Sequence, residues 1–94
     1  MNIEQVPDHI LTRAERASSG LWYAVLNLPP GSFSWLDFST CADTEDAARA
    51  QCATKIRDDA RGIGKFAPHA ELTGYSLYYK QIPYWQSQME MTNE

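Results

Sequence analysis

The segment DTEDAARAQCATKIRDDAR, residues 43–61, has the clearest periodicity in the 94-residue chain. A helix can begin here at Asp43 or Thr44, and Asp43 can cap it, because a short side-chain oxygen accepts hydrogen bonds from the free N–H groups of a first turn. The pattern therefore predicts a helix over residues 43–61, with a narrow face that can lie close against a sheet. The residues on that face recur every four positions: Ala48, Cys52, Ile56 and Ala60.

Two apolar runs precede this segment. Residues 21–28 read LWYAVLNL and residues 32–39 read SFSWLDFS, with Pro29, Pro30 and Gly31 between them. Aromatic and aliphatic residues bounded by such turn residues favour strands. We predict a hairpin of these two strands.

The N-terminal region has a helical pattern of its own. Pro7 and Asp8 suit a first helical turn, and Gly20 suits a helix end. We therefore predict a helix over residues 7–19. Its apolar face comprises Ile10, Leu11, Ala14 and Ala17.

In the C-terminal region, residue types that favour strands recur at every second position. Tyr75, Leu77 and Tyr79 alternate with other residues, and Pro83 follows. This predicts a loop over 62–71 and a third strand over 72–82. Residues 84–94 are predicted to form a tail that packs as a short edge strand or lies against the body, disordered in its last four residues.

These elements predict an α+β fold in the order α-β-β-α-β, forming a single domain over residues 1–94. The sheet is expected to be antiparallel, with the 43–61 helix packed on one face. The predicted core comprises Ile10, Leu11, Trp22, Ala24, Leu26, Leu36, Phe38, Ala48, Cys52, Ile56, Leu77 and Tyr79.

The charge is uneven along the chain. The net charge is −4, yet residues 21–42 contain one charged side chain, Asp37, and residues 43–65 contain five acids and five bases. An acidic chain without a basic run is repelled by nucleic acid and suits a basic partner, although the same charge also serves solubility.

The chain has no apolar run long enough for a membrane span. Residues 1–5 also lack the basic and apolar regions of an export signal. These features predict a cytoplasmic protein without a membrane partner.

Cys41 and Cys52 are the only cysteines. A helix beginning between them carries Cys52 about 12 Å along its axis, whereas a disulfide needs Cα atoms within about 7 Å. Both thiols are therefore predicted to be free, with Cys52 in the core. Together with His9 and His69 they match no zinc-binding spacing, so neither a metal nor another cofactor is predicted.

The eleven aromatic residues are the most distinctive content of the chain. A strand sends alternate side chains to opposite faces, so one helix cannot cover every ring. Rings left uncovered would form a binding surface, whereas rings covered by another element would be core. The predicted binding residues are Trp22, Trp35, Asp37, Tyr75, Tyr78 and Trp85.

The sequence contains no motif that clearly indicates catalysis. Residues 61–65, RGIGK, follow a helix, whereas a phosphate cradle must precede one so that free N–H groups point at the anion. No recognised catalytic spacing joins the acid, base and nucleophile candidates, and we predict that the chain is not an enzyme. Those candidates are Asp37, Asp58, Asp59, His9, His69, Ser34, Ser39 and Cys41.

The predicted hairpin and helix, from Leu21 to Ile56, include FST at 38–40 followed by TEDAA at 44–48. In topology this resembles the strand-strand-helix arm-type DNA-binding domains of phage integrases. Those domains read DNA with a basic strand face, whereas the predicted strands contain no lysine or arginine. The resemblance therefore implies a topology and assigns no functional residue.

The sequence favours a non-enzymatic protein-interaction module that binds a larger protein through exposed sheet aromatics and an acidic rim. One specific form is a phage or mobile-element inhibitor of a host nucleic-acid-binding machine, of the anti-CRISPR type. The alternative is a small nucleic-acid-binding domain that uses sheet aromatics and the basic end of the main helix. The oligomeric state is left open.

Overall fold

The computed structural model describes residues 3–31, 39–60 and 75–92. Three strands and one long helix form the centre, with shorter helices at both ends. In chain order the elements are a 3₁₀ turn Ile3–Gln5, α1 Asp8–Leu11, β1 Thr12–Arg16, β2 Trp22–Leu26, β3 Thr40–Ala42, α2 Glu45–Ala60, α3 Tyr75–Lys80 and α4 Ile82–Thr92.

The sheet is antiparallel, in the order β1-β2-β3. Thr12 lies opposite Leu26 at one end of the β1–β2 pair, and Trp22 lies opposite Ala42 in the β2–β3 pair. Gly20 lies in the turn between β1 and β2 with φ 93°, a conformation that glycine adopts without steric cost. This turn makes β1 and β2 a hairpin.

Helix α2 packs against one face of the sheet. Ala48, Cys52 and Ile56 are buried on the helix, and Ala24 and Leu26 are buried on β2. Small side chains on the helix permit this close approach. The structure confirms the predicted α+β class, with the main helix on one face of an antiparallel sheet.

Polar contacts define the start of α2. The Ala47 N–H donates to Thr44 Oγ1 at 3.1 Å, so Thr44 caps the helix. The Thr40 hydroxyl donates to the Ala48 carbonyl at 2.7 Å and joins β3 to the first turns of α2. The predicted cap, Asp43, is wrong by one residue, because α2 begins at Glu45 and Thr44 directly precedes it.

The predicted helix over residues 7–19 is wrong beyond Leu11. Thr12 has extended backbone angles, φ −124° and ψ 155°, and starts strand β1. Arginine, alanine and glutamate favour helices, but pairing with β2 satisfies backbone groups on both strands and places Ala14 against the core. Tertiary pairing has overridden local propensity.

The predicted strand over 72–82 is also wrong where the structure describes it, because α3 and α4 occupy residues 75–80 and 82–92. Of the two forms predicted for residues 84–94, the edge strand is wrong, whereas Trp85 on α4 is fully buried against the body. The apolar positions that contact the core are spaced by four, three and four residues, which is the period of a helix. Pro83 fits because residues in a first turn do not use their N–H groups within the helix. These positions are Tyr78, Ile82, Trp85 and Met89.

The buried core confirms most of the predicted positions that the structure describes. Tyr79 is an exception, since it is 49% exposed while its neighbour Tyr78 is fully buried. Adjacent helical residues point about 100° apart, so only one of the two rings faces the core. Trp22 is half-buried against the core, whereas Leu36, Phe38 and the Leu77 side chain lie outside the described part. The confirmed positions are Ile10, Leu11, Ala24, Leu26, Ala48, Cys52 and Ile56.

The predicted strand over 32–39 lies almost wholly outside the described residues. Strand β3, which pairs with β2, starts immediately after it at Thr40. No described helix combines the length and apolar character needed to cross a membrane.

Candidate functional site

The sheet has a second face, opposite α2. Tyr23 lies across from both Glu15 and Cys41, and Arg13 lies across from Val25. Alternation along the strands places these five side chains on the face turned away from Ala24 and α2. Arg13, Glu15 and Cys41 are exposed, while Tyr23 and Val25 are half-buried. We call this set the outer face.

One strong hydrogen bond crosses the outer face. The Tyr23 hydroxyl donates to Glu15 Oε2 at 2.6 Å. This bond and the negative charge of Glu15 raise the pKa of Tyr23, because both disfavour the phenolate. The outer face therefore combines an aromatic ring with a carboxylate and one arginine, and it carries no excess of positive charge.

Two of the predicted binding residues are wrong. Tyr78 and Trp85 are fully buried on α3 and α4, so neither contributes to the surface of the folded chain. Their helices turn these rings toward the core, whereas the predicted strand and tail would have exposed them.

The other predicted binding residues have different placements. Trp22 is half-buried and packs against the core on the α2 side of the sheet. Trp35 and Asp37 lie outside the described residues, as does the side chain of Tyr75 in α3. Of the predicted binding residues whose side chains the structure describes, none lies on the outer face.

A buried polar pair joins α2 to α3. The Tyr78 hydroxyl donates to Asp59 Oδ2 at 2.9 Å, and both residues are fully buried. Burial, followed by the hydrogen bond and charge of Asp59, raises the pKa of Tyr78. Asp59, a catalytic candidate from the sequence, here accepts a structural hydrogen bond.

The two cysteines are free, as predicted. Cys41 is exposed on β3, and Cys52 is buried on the face of α2 that packs against the sheet. Burial raises the pKa of Cys52 to about 12, although nearby Lys55 acts in the opposite direction. Cys52 is thus a protonated core thiol rather than a nucleophile.

Asn27 forms a junction just after β2. Its Nδ2 donates to the Ile10 carbonyl at 2.7 Å and to Gln88 Oε1 at 2.6 Å. Its Oδ1 accepts from Arg13 Nε at 2.7 Å, and its carbonyl accepts from Trp85 Nε1 at 2.7 Å. Sequence reasoning missed this role, although a lone amide in an apolar run was an available signal.

A cavity of about 360 Å³ lies beside β1. Its lining includes His9 from α1, Arg13 and Glu15 from β1, Arg49 from α2 and Gln88 from α4. We call this cavity the arginine pocket. The sequence does not predict this pocket, because residues 12–16 favour a helix by composition and a strand there is needed to form it.

Hydrogen bonds hold both guanidinium groups in the arginine pocket. Arg49 Nη1 donates to the Thr12 carbonyl at 2.7 Å and to the His9 carbonyl at 3.2 Å. Arg13 Nη2 donates to the Leu28 carbonyl at 2.6 Å and to the Tyr84 hydroxyl at 3.2 Å. Such tethered groups are pre-organised to bind a carboxylate, and Arg49 Nε already lies 3.6 Å from Glu45 Oε2.

The basic end of α2 is partly neutralised. Arg57 Nη1 lies 2.7 Å from Asp8 Oδ1, and Arg57 Nη2 donates to the Val6 carbonyl at 2.6 Å. Lys55 is exposed, whereas Arg61 and Lys65 lie outside the described residues. Among the described cations at this end of α2, only Lys55 therefore has no such salt bridge or hydrogen bond.

The described residues give little support for a metal site or for the candidate catalytic residues. Within residues 3–31, 39–60 and 75–92, no cluster of three or more His, Cys, Asp or Glu side chains could hold a metal ion. His9 is exposed in α1, and Asp58 is half-buried in α2, while Asp37 and His69 lie outside the described part.

Comparisons with models of known protein families, with characterised proteins and with solved structures found no match. Functional inference therefore depends on the residues of this chain and their arrangement.

Proposed function

We propose that this chain is a non-enzymatic protein-interaction module that binds a larger protein through the open side of its sheet. One observation carries the proposal: α2 covers one face, while Arg13, Glu15 and Cys41 on the outer face are exposed.

The outer face has an apolar centre with a polar surround. Val25 and the ring of Tyr23 are half-buried at its centre, with charged residues of β1 beside them. Leu21, just before β2, is 41% exposed and lines a groove with Cys41. An apolar centre inside a polar rim is the usual organisation of a protein-binding surface.

The nucleic-acid alternative has less support. The outer face carries one arginine and one glutamate, and Arg57 is tethered to Asp8. Phosphate binding depends on several cations that can displace counterions. Steep weakening of oligonucleotide binding with added salt is the behaviour expected of this alternative.

The inhibitor form is a finer version of the same proposal. A net charge of −4 suits occupation of a basic nucleic-acid channel, as in a phage or mobile-element inhibitor of the anti-CRISPR type. A purified partner should then lose nucleic-acid binding when this chain is added at equal concentration. A partner that retains full nucleic-acid binding in the complex would contradict this form.

The experiment is affinity capture from the native source, followed by reconstitution with the purified partner and titration calorimetry. Val25→Lys places a charge at the centre of the outer face, and Ala50→Lys places the same charge on the exposed side of α2. We expect Val25→Lys to weaken binding by about tenfold or more, and Ala50→Lys to leave it unchanged.

Circular dichroism and unfolding curves must show that both variants are folded. Equal affinities of both folded variants for the partner would show that the outer face is not the binding surface.

A further inference from the structure

Strand β1 has one side that faces away from β2. The Asn27 N–H donates to the Leu11 carbonyl at 2.9 Å, and the Ala17 N–H donates to the Leu21 carbonyl at 2.7 Å. These two bonds flank the β1–β2 ladder and define which residues exchange backbone hydrogen bonds. In an antiparallel pair, such residues alternate with residues whose backbone groups point outward.

The alternation assigns the five residues of β1. Arg13 and Glu15 direct their backbone groups toward β2, whereas Thr12, Ala14 and Arg16 direct theirs away from it. In the part of the chain that the structure describes, the sheet ends at β1. Its outward side is therefore an open edge.

Two backbone groups on this edge already have hydrogen-bond partners within the chain. The Thr12 N–H donates to the Asp8 carbonyl, and the Thr12 carbonyl accepts from Arg49. Among the described residues, the backbone groups of Ala14 and Arg16 that point outward have no partner, and their spacing matches that of one added strand.

The arginine pocket adjoins this open edge, since Ala14 is part of its lining. Arg13 is held through Nε and Nη2, and Arg49 is held through Nη1. Arg13 Nη1, Arg49 Nη2 and the exposed His9 imidazole have no protein partner among the described residues. These groups can donate to an anion.

The donors of the arginine pocket favour an anion. Two guanidinium groups line the cavity with one carboxylate, that of Glu15, which already accepts the Tyr23 hydroxyl. Glu45 Oε2 lies 3.6 Å from Arg49 Nε and offsets part of the charge of Arg49, whereas Arg13 has no such ion pair among the described residues. A guanidinium group binds a carboxylate through two parallel hydrogen bonds.

We propose that an extended segment of the partner pairs with the open edge of β1 as an added strand, and that an aspartate or glutamate of this segment binds in the arginine pocket. This inference rests on the protein-interaction function proposed above. It names the chemistry of the partner: an extended peptide with a carboxylate at a defined position. The alternative role of the charges on β1 is protection of the edge against pairing with other chains.

Hydrogen exchange tests the edge in the free, full-length chain. We expect the amides of Ala14 and Arg16 to exchange about 100-fold faster than those of Arg13 and Glu15, because only the latter are bonded within the sheet. Equal protection of all four amides would show that the chain itself closes this edge, and it would overturn the proposal.

A displayed library of random nine-residue peptides tests the occupant. Selected peptides should share an aspartate or glutamate at one position, and a synthetic selected peptide should shift the backbone amide resonances of Ala14 and Arg16. Replacing that acid with its amide should weaken binding by about tenfold or more.

Backbone methylation of the selected peptide supplies the matched control. Methyl groups on the amides that face β1 should abolish binding, whereas methyl groups on the alternate amides should leave it unchanged. The variant Ala14→Pro removes the outward N–H from the protein and should also abolish binding, provided that it folds.

The outcomes separate the two proposals. If the full partner loses affinity with Val25→Lys but peptides leave Ala14 and Arg16 unshifted, the edge proposal is wrong and the interaction function stands. If peptides without an acid bind equally well, the carboxylate assignment is wrong. If Val25→Lys leaves the affinity for the partner unchanged while acidic peptides bind the edge, the outer face is not the binding surface and the edge proposal stands.

Discussion

At the scale of single residues, the two cysteines differ only through their surroundings. Cys41 is exposed, whereas burial raises the pKa of Cys52 to about 12. At pH 8 we expect one thiol to react quickly with a chromogenic disulfide reagent and the second to react only after unfolding. Cys41→Ser should remove the fast phase, and its survival in that variant would contradict this assignment.

The buried Cys52 thiol also predicts a pH dependence. Its folded pKa, about 12, lies above the ordinary value of 9.0, so the native chain retains a proton that the unfolded chain releases. The thiol's contribution to stability is complete below pH 9 and is lost as the pH rises toward 12. Urea unfolding at pH 8 and pH 10 should therefore show a larger loss of unfolding free energy in the native sequence than in Cys52→Ala. Equal losses would argue against a buried thiol.

The hydroxyl of Tyr78 has a defined structural role. Tyr78→Phe removes the donor to Asp59 without creating a large cavity, and should lower the unfolding free energy by about 1–3 kcal/mol. Tyr79→Phe alters the neighbouring, half-exposed ring and should change the unfolding free energy little. Chemical denaturation of the two variants makes the comparison, and similar losses would show that the Tyr78–Asp59 bond contributes nothing specific.

At the scale of elements, the C-terminal helix offers the sharpest test. Ser87 is exposed in the middle of α4. Ser87→Pro should cost about 3 kcal/mol or more, because proline removes a helical hydrogen bond and clashes with the preceding turn. Ser87→Ala should be neutral or slightly stabilising. Thermal unfolding followed by circular dichroism checks both, and a proline that leaves the stability unchanged would favour a non-helical segment at residues 84–94.

Elements were predictable where the local pattern had one interpretation. The small-residue face of α2 repeats every four positions, and the apolar run of β2 is too short for a helix of its own. β1 could not be predicted this way, because Arg13, Ala14 and Glu15 favour a helix in isolation. In α3 and α4, the tyrosines favour strands by type, although the spacing of Tyr78 and Trp85 is helical.

At the scale of the whole molecule, Asn27 connects β2 with both terminal regions through Ile10 and Gln88. Asn27→Asp keeps the shape but cannot donate to either oxygen, and should lower the unfolding free energy by about 2 kcal/mol or more. Gln51→Glu makes the same chemical change at an exposed site of α2 and serves as the control. Equal stability of the two variants in urea would mean that this junction does not hold the termini.

The candidate site was less predictable than the fold. The outer face depends on Tyr23 and Glu15 meeting across two strands, and the arginine pocket depends on His9, Arg13 and Arg49 converging from three elements. Residues far apart in sequence converge only after the strands pair. Composition indicated a binding surface but could not show which aromatic rings remain exposed.

The sequence by itself determined the α+β class, helix α2 and a free, buried Cys52, because each follows from a local period or a local spacing. Only the tertiary structure decided that residues 12–16 form a strand, that Tyr78 and Trp85 are core, and that two arginines lie beside the edge of β1 that no described strand covers. The physical reason is that strand pairing and the burial of large rings depend on distant partners, and their free energies exceed the small helix and strand preferences of individual residues.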